Sequence, residues 1–94
     1  MLITHKSTYT CVNVAINTAG IASNCNSITF DNAGDADAKI FMASGNVILK
    51  AGKSIDLGQR IETIIMDTFS IEFIPAAGAV QLVNIIRETF QILT

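Results

Sequence analysis

Ala51-Gly52-Lys53-Ser54 carries the final residues of a phosphate-binding loop, in which glycines free the backbone N–H groups that cradle phosphate. Such a loop needs a second glycine five residues before the one that precedes lysine, and Val47 stands there. The flanking residues read as a hairpin rather than a strand feeding a helix, so a β-turn with an exposed lysine is the expectation. Asp31, Asp35 and Asp37 place carboxylates at nearly alternate positions, as a hard cation requires. A calcium loop of the EF-hand type starting at Asp31 would need Gly at its sixth position and Glu at its twelfth, where Ala36 and Met42 occur. Asp and Asn bonding their own backbone in a polar turn is the simpler reading.

His5 is the only histidine, so no histidine-based metal cluster can form, and it reads as an exposed residue near the chain start. Cys11 and Cys25 fall opposite each other if a hairpin turns near Thr18 and Ala19, on the face away from the expected core. They could bond under oxidising conditions. Free thiols beside a subunit contact are the preferred reading. The serines lack a Gly-x-Ser-x-Gly setting, and Glu62, Asp67, Glu72 and Glu88 read as outward charges. No catalytic residues, cofactor or metal ligands are assigned, and the expectation is a protein that is not an enzyme.

The elements that must carry these residues are signalled by composition first. Charged residues make up 15 % of the 94-residue chain and hydrophobic ones 50 %, against about 25 % charged in an average soluble protein. A chain this short buries only about 60 to 65 % of the surface its unfolded form exposes, so the surplus apolar area points to contact with another protein chain. The least polar stretch, from Phe73 to Ile86, is interrupted by Pro75, Gln81 and Asn84 and is shorter than a spanning helix requires, so a membrane partner is not expected. A signal peptide is not expected either, because no long apolar run follows His5-Lys6. Lys6, Lys39, Lys50, Lys53, Arg60 and Arg87 are scattered and the net charge is −2, which argues against nucleic acid. Two cysteines and no Asn-x-Ser/Thr site suit synthesis in a reducing compartment.

Turn clusters at 17–20, 31–35, 44–46, 51–53 and 75–78 divide the chain into short pieces with a period of two. Val12, Val14 and Ile16 share one face, as do Ile28 and Phe30, and Phe69, Ile71 and Phe73 alternate with Ser70 and Glu72. Further strands are expected over Ala38–Met42, Val47–Leu49, Ser54–Leu57 and Ile61–Met66. The run from Val80 to Leu93 fits either a helical stripe or a strand, and its β-branched content favours strand. The expectation is one all-β domain over residues 1–94, an antiparallel β-sandwich or jelly-roll-like barrel of about seven or eight short strands, with a C-terminal strand or, alternatively, helix.

The series Ser27-Ile28-Thr29-Phe30, the turn Asp31-Asn32-Ala33-Gly34, a strand ending in Ile40-Phe41, Val47 to Gly58 and Phe69 to Phe73 covers about half the chain. It resembles the small β-sandwich virion structural proteins of tailed bacteriophages, of the head-fibre, decoration or tail-adaptor class. The long apolar C-terminal run departs from that pattern. The resemblance implies a structural role in a virion, assembled in the host cytoplasm, with capsid or tail proteins as partners. A homo-oligomer, dimer or trimer, is expected, with Ile64, Ile65, Val83, Ile85, Phe90 and Leu93 at the contact because each exceeds what one face can bury. A carbohydrate- or surface-binding module is the alternative, weakened by the lack of Trp and the single Tyr9.

Overall fold

The computed structural model describes residues 4–58 and 64–93, without the side chains of residues 4, 5 and 91–93. It contains eight strands: β1 (Thr4–Val14), β2 (Thr18–Ala22), β3 (Ser27–Asn32), β4 (Ala38–Met42), β5 (Gly45–Leu49), β6 (Ser54–Gly58), β7 (Thr68–Phe73) and β8 (Val83–Leu93). They form two four-stranded sheets, one in the order β1-β8-β3-β6 and the other in the order β2-β7-β4-β5. Every pairing is antiparallel. First pairs with last, second with seventh, third with sixth and fourth with fifth, which is a long antiparallel ribbon rolled into a jelly-roll sandwich. Pairing of β3 with β8 and of β4 with β7 closes the roll.

This topology corrects the reading of the loops as hairpin turns. Among the described strands only β4 and β5 are successive neighbours in one sheet, and the other connections carry the chain between sheets. The 51–53 segment is such a crossing: Lys53 N–H donates to Lys50 C=O at 3.0 Å and Gly52 adopts φ +78°, a turn that takes the chain from β5 across to β6. β2 lies where a turn is expected from Asn17-Thr18-Ala19-Gly20. Its register slips between Thr18 and Ile21, and Gly20 adopts φ +70°, so small and turn-prone residues are held in a bulged strand by β7. The C-terminal segment is strand, paired with β1 over its full length.

Alternation fills the space between the sheets. Ile28, Phe30, Val83 and Ile85 meet Ile21, Ile40, Leu49, Phe69, Ile71 and Phe73, with Ala38, Val14 and Cys25 completing the core. Phe30 and Phe69 touch edge-on, their ring centres 5.2 Å apart, which pairs a positive ring edge with a negative ring face.

At one end the sandwich is tied by Asn32, which is fully buried. Its Nδ2 donates to the carbonyls of Ala36 at 2.8 Å and Leu49 at 3.0 Å, and its Oδ1 accepts the N–H of Gly34 at 3.1 Å. Its backbone N–H donates to Lys53 C=O and its carbonyl accepts from Gly52 N–H, both at 2.9 Å. Gly34 has no room for a side chain, since a Cβ there would collide with the Val80 carbonyl. Asn32→Ala strands two buried carbonyls, each costing about 1 to 3 kcal/mol. Urea unfolding should show a loss of roughly 2 to 4 kcal/mol. The exposed Asn46→Ala should change stability by less than about 0.5 kcal/mol.

Candidate functional site

The residues whose types invited chemistry are mostly occupied by structural bonds. Ser54 Oγ donates to the Asp31 carboxylate at 2.8 Å, and Thr29 Oγ1 donates to Asp56 at 2.6 Å. Both pairs join β3 to β6 at directly opposed positions, so these carboxylates fasten an edge strand. Asp37 accepts the Ala51 N–H at 3.0 Å from the other side of the molecule's end, while Asp35 is exposed. Asn32 follows the expected Asx pattern with Gly34, two residues on. Among the described residues no three His, Cys, Asp or Glu side chains gather as a metal would need. The side chain of His5 lies outside the described residues.

The cysteines separate. Cys11 is exposed on β1, whereas Cys25 is 1 % exposed and part of the core, contrary to the reading that put both on an outer face. Cys25 is drawn inward because its backbone bridges Ile65: Ile65 N–H donates to Cys25 C=O at 2.6 Å, and Cys25 N–H to Ile65 C=O at 3.3 Å. Burial raises the Cys25 thiol above its ordinary pKa, and the nearby Arg87 charge and a bond with the Ser27 backbone pull it partly back. Arg87 itself clamps the Ala22 carbonyl with Nε at 3.1 Å and Nη2 at 2.7 Å.

The expected contact residues divide in the same way. Val83 and Ile85 are 0 % and 1 % exposed and face the opposite sheet, so they are corrected from contact to core. Their β8 positions alternate inward, whereas Asn84, Ile86, Glu88 and Phe90 fall on the outer face. Ile65 is partly buried against the core, and its neighbours Ile64 and Met66 are 57 % and 71 % exposed. Ser23 Oγ, 2.9 Å from Ile65 C=O and 2.6 Å from Asp67 C=O, fixes that segment before β7. Phe90 is half-buried, the Leu93 side chain lies outside the described residues, and the expected strand over Ile61–Met66 lies outside them through residue 63.

Two surfaces then stand out. The first is β1, paired with β8 on one side and with no described strand on the other. β3 leaves β8 at Glu88, and Asn26 extends the ladder by one position, its backbone N–H donating to Glu88 C=O and its Oδ1 accepting the Phe90 N–H at 2.8 Å. Past Glu88 the β1–β8 ribbon continues for about five residue pairs, roughly 17 Å, with no third described strand beside it. The molecule accordingly measures 57 × 24 × 17 Å. The second is a depression of about 190 Å³ on the outer face of the other sheet, between the bulge of β2 and the side chains of Phe41, Ser70 and Glu72.

No protein-family model, curated protein or solved structure matches this chain significantly. The two surfaces therefore carry the functional argument. No helix among the described residues is long and apolar enough to cross a membrane.

Sequence reasoning passed over the outer-face pair of Tyr9 and Glu88, directly opposed on β1 and β8. A hydrogen bond to the Glu88 carboxylate, then its negative charge, raises the Tyr9 pKa above 10.0. Tyr9 is the sole tyrosine and there is no Trp, so ultraviolet titration isolates it. Glu88→Gln should bring its midpoint down towards 10.0. In thiol labelling, the native protein should react promptly at Cys11 and slowly at Cys25, with both reacting at similar rates in denaturant. Equal rates in the native state would contradict the burial of Cys25.

Proposed function

We propose that this chain is a non-enzymatic structural subunit of a tailed-phage virion, which self-assembles as a dimer or trimer and attaches to a capsid or tail. The observation that supports this reading most is the edge formed by β1. It is eleven residues long and contains no proline, and Lys6 is its only residue of fixed charge. Proteins that remain single usually blunt such an edge with short strands, prolines, bulges or several charges. A two-stranded ribbon is also marginal by itself in water, so the arm beyond Glu88 gains most if it packs against another chain.

The outer-face residues beside the edge fit that role. Tyr9 and Cys11 on β1 are exposed, Ile86 and Phe90 on β8 are half-buried, and Ile64 and Met66 add apolar area elsewhere. From the contact set read in the sequence, Ile64 and Phe90 remain, with Leu93 outside the described side chains, and the β1 edge itself joins them. A second copy adding its strand here would supply main-chain hydrogen bonds along the edge and cover apolar side chains at the same time. The jelly roll occurs among viral capsid domains and equally among lectins and cupins, so the phage assignment leans on the turn pattern over residues 27–73 and on the scarcity of charge.

Light scattering tests this. The purified protein should be a discrete oligomer at tens of micromolar, and Thr8→Lys combined with Thr10→Lys on β1 should give a monomer with little change in thermal midpoint. A strictly monomeric unmodified protein at that concentration would overturn self-assembly. Recovery of the purified subunit on phage capsids or tails would support attachment.

A further inference from the structure

We infer that the depression on the outer face of the β2-β7-β4-β5 sheet is a binding site for a neutral pyranose sugar. The site is built from residues that the sheet register brings side by side. Phe41 on β4 lies directly opposite Ser70 on β7, and the next outward pair is Lys39 opposite Glu72. A sugar platform is not expected from a sequence with no Trp and the single Tyr9, yet Phe41 supplies one. The strand period turns Ile40 inward, fully buried, and leaves Phe41 outward and half-buried.

The remaining wall comes from the start of β2. The register shift between Thr18 and Ile21 moves Ala19 out of the ladder and opens space beside β7. That wall is held in place: Asn17 Oδ1 accepts the Phe73 N–H at 2.8 Å, and Thr18 Oγ1 donates to the Ile16 carbonyl at 2.9 Å. The opening is therefore formed before any ligand arrives, and binding need not first order it.

The chemistry selects the ligand class. A pyranose presents one face of weakly positive C–H groups and a rim of hydroxyls that both donate and accept. An aromatic ring offers its negative face to the former. The Glu72 carboxylate accepts from a hydroxyl, and the Ser70 hydroxyl donates or accepts. Glu72 is the one charged residue among the described residues lining the depression, so nothing positive there favours phosphate or sulfate. At about 190 Å³ the depression is below the usual 300 Å³ or more of pockets for drug-sized ligands, which suits one sugar ring rather than a nucleotide. The site lies on the opposite sheet from the β1 edge, so strand addition at that edge leaves it uncovered and a failed sugar titration does not bear on self-assembly.

The test is an NMR titration of the full chain with glucose, galactose and N-acetylglucosamine, with inorganic phosphate in a parallel arm. At least one sugar should give saturable shifts, in the millimolar range, at the amides of Ala19, Phe41 and Ser70. Glu72→Gln should weaken that binding roughly tenfold, the scale of a hydrogen bond to a charged group, with the thermal midpoint retained. Phe41→Leu should weaken it as well, whereas Asp35→Asn, outside the depression, should leave it unchanged. Saturable shifts from none of the sugars would overturn the assignment. So would shifts mapping elsewhere, tighter binding of phosphate at these amides, or undiminished affinity in both Glu72→Gln and Phe41→Leu.

Discussion

The two sheets of this sandwich are joined at one end by a single amide. Asn32 spends its main chain on the 52–53 turn and its side chain on Gly34, Ala36 and Leu49, so one buried residue fixes the end of β3, the approach to β4 and the end of β5. The 80–82 segment joins the same end, because the N–H groups of Ala33 and Gly34 donate to Leu82 and those of Asp35 and Ala36 to Val80. A loop that crosses between sheets has no ladder to satisfy its backbone, and a buried asparagine with two donors and an acceptor is one of the few side chains that can stand in. Burying such an amide is favourable only when all of it is bonded, which makes the arrangement specific as well as stable.

Rolling a long ribbon into two sheets leaves edges, and the edges are unequal. β6 is fastened by the two hydroxyl–carboxylate pairs to β3, and β5 ends at the Asn32 cluster. β2 is bulged and pinned by Asn17 and Arg87. β1 has one hydroxyl–carboxylate pair, Tyr9 with Glu88, and runs well past the described body of the sandwich with β8. The proposed assembly would use the longest of these edges, where main-chain groups run furthest without a described neighbour on the open side.

The two outer faces also differ in kind. Outside β1-β8-β3-β6, Tyr9, Cys11, Ile86 and Phe90 lie beside the polar pairs of β3 and β6. Outside β2-β7-β4-β5, one phenyl ring sits beside Ser70 and Glu72, at the place where a bulge makes the surface concave. A subunit that packs by one sheet's edge and presents the other sheet's face could combine particle architecture with recognition of a sugar-bearing surface. Fold alone would not have suggested this, since the same sandwich serves many unrelated tasks.

The alternation of Phe69, Ile71 and Phe73, of Ile28 and Phe30, and the turn residues between them were enough to read an antiparallel sandwich, because a period of two and local turn chemistry are written residue by residue. Strand β4 was legible to its ends for the same reason. Tertiary structure decided what depends on distant partners. β2 exists as a strand only because β7 accepts it, and the 51–53 turn joins sheets rather than neighbours. Val83 and Ile85 went to the core and not to a contact, since hydrophobicity states that a side chain would gain by burial and only the register states which face it occupies.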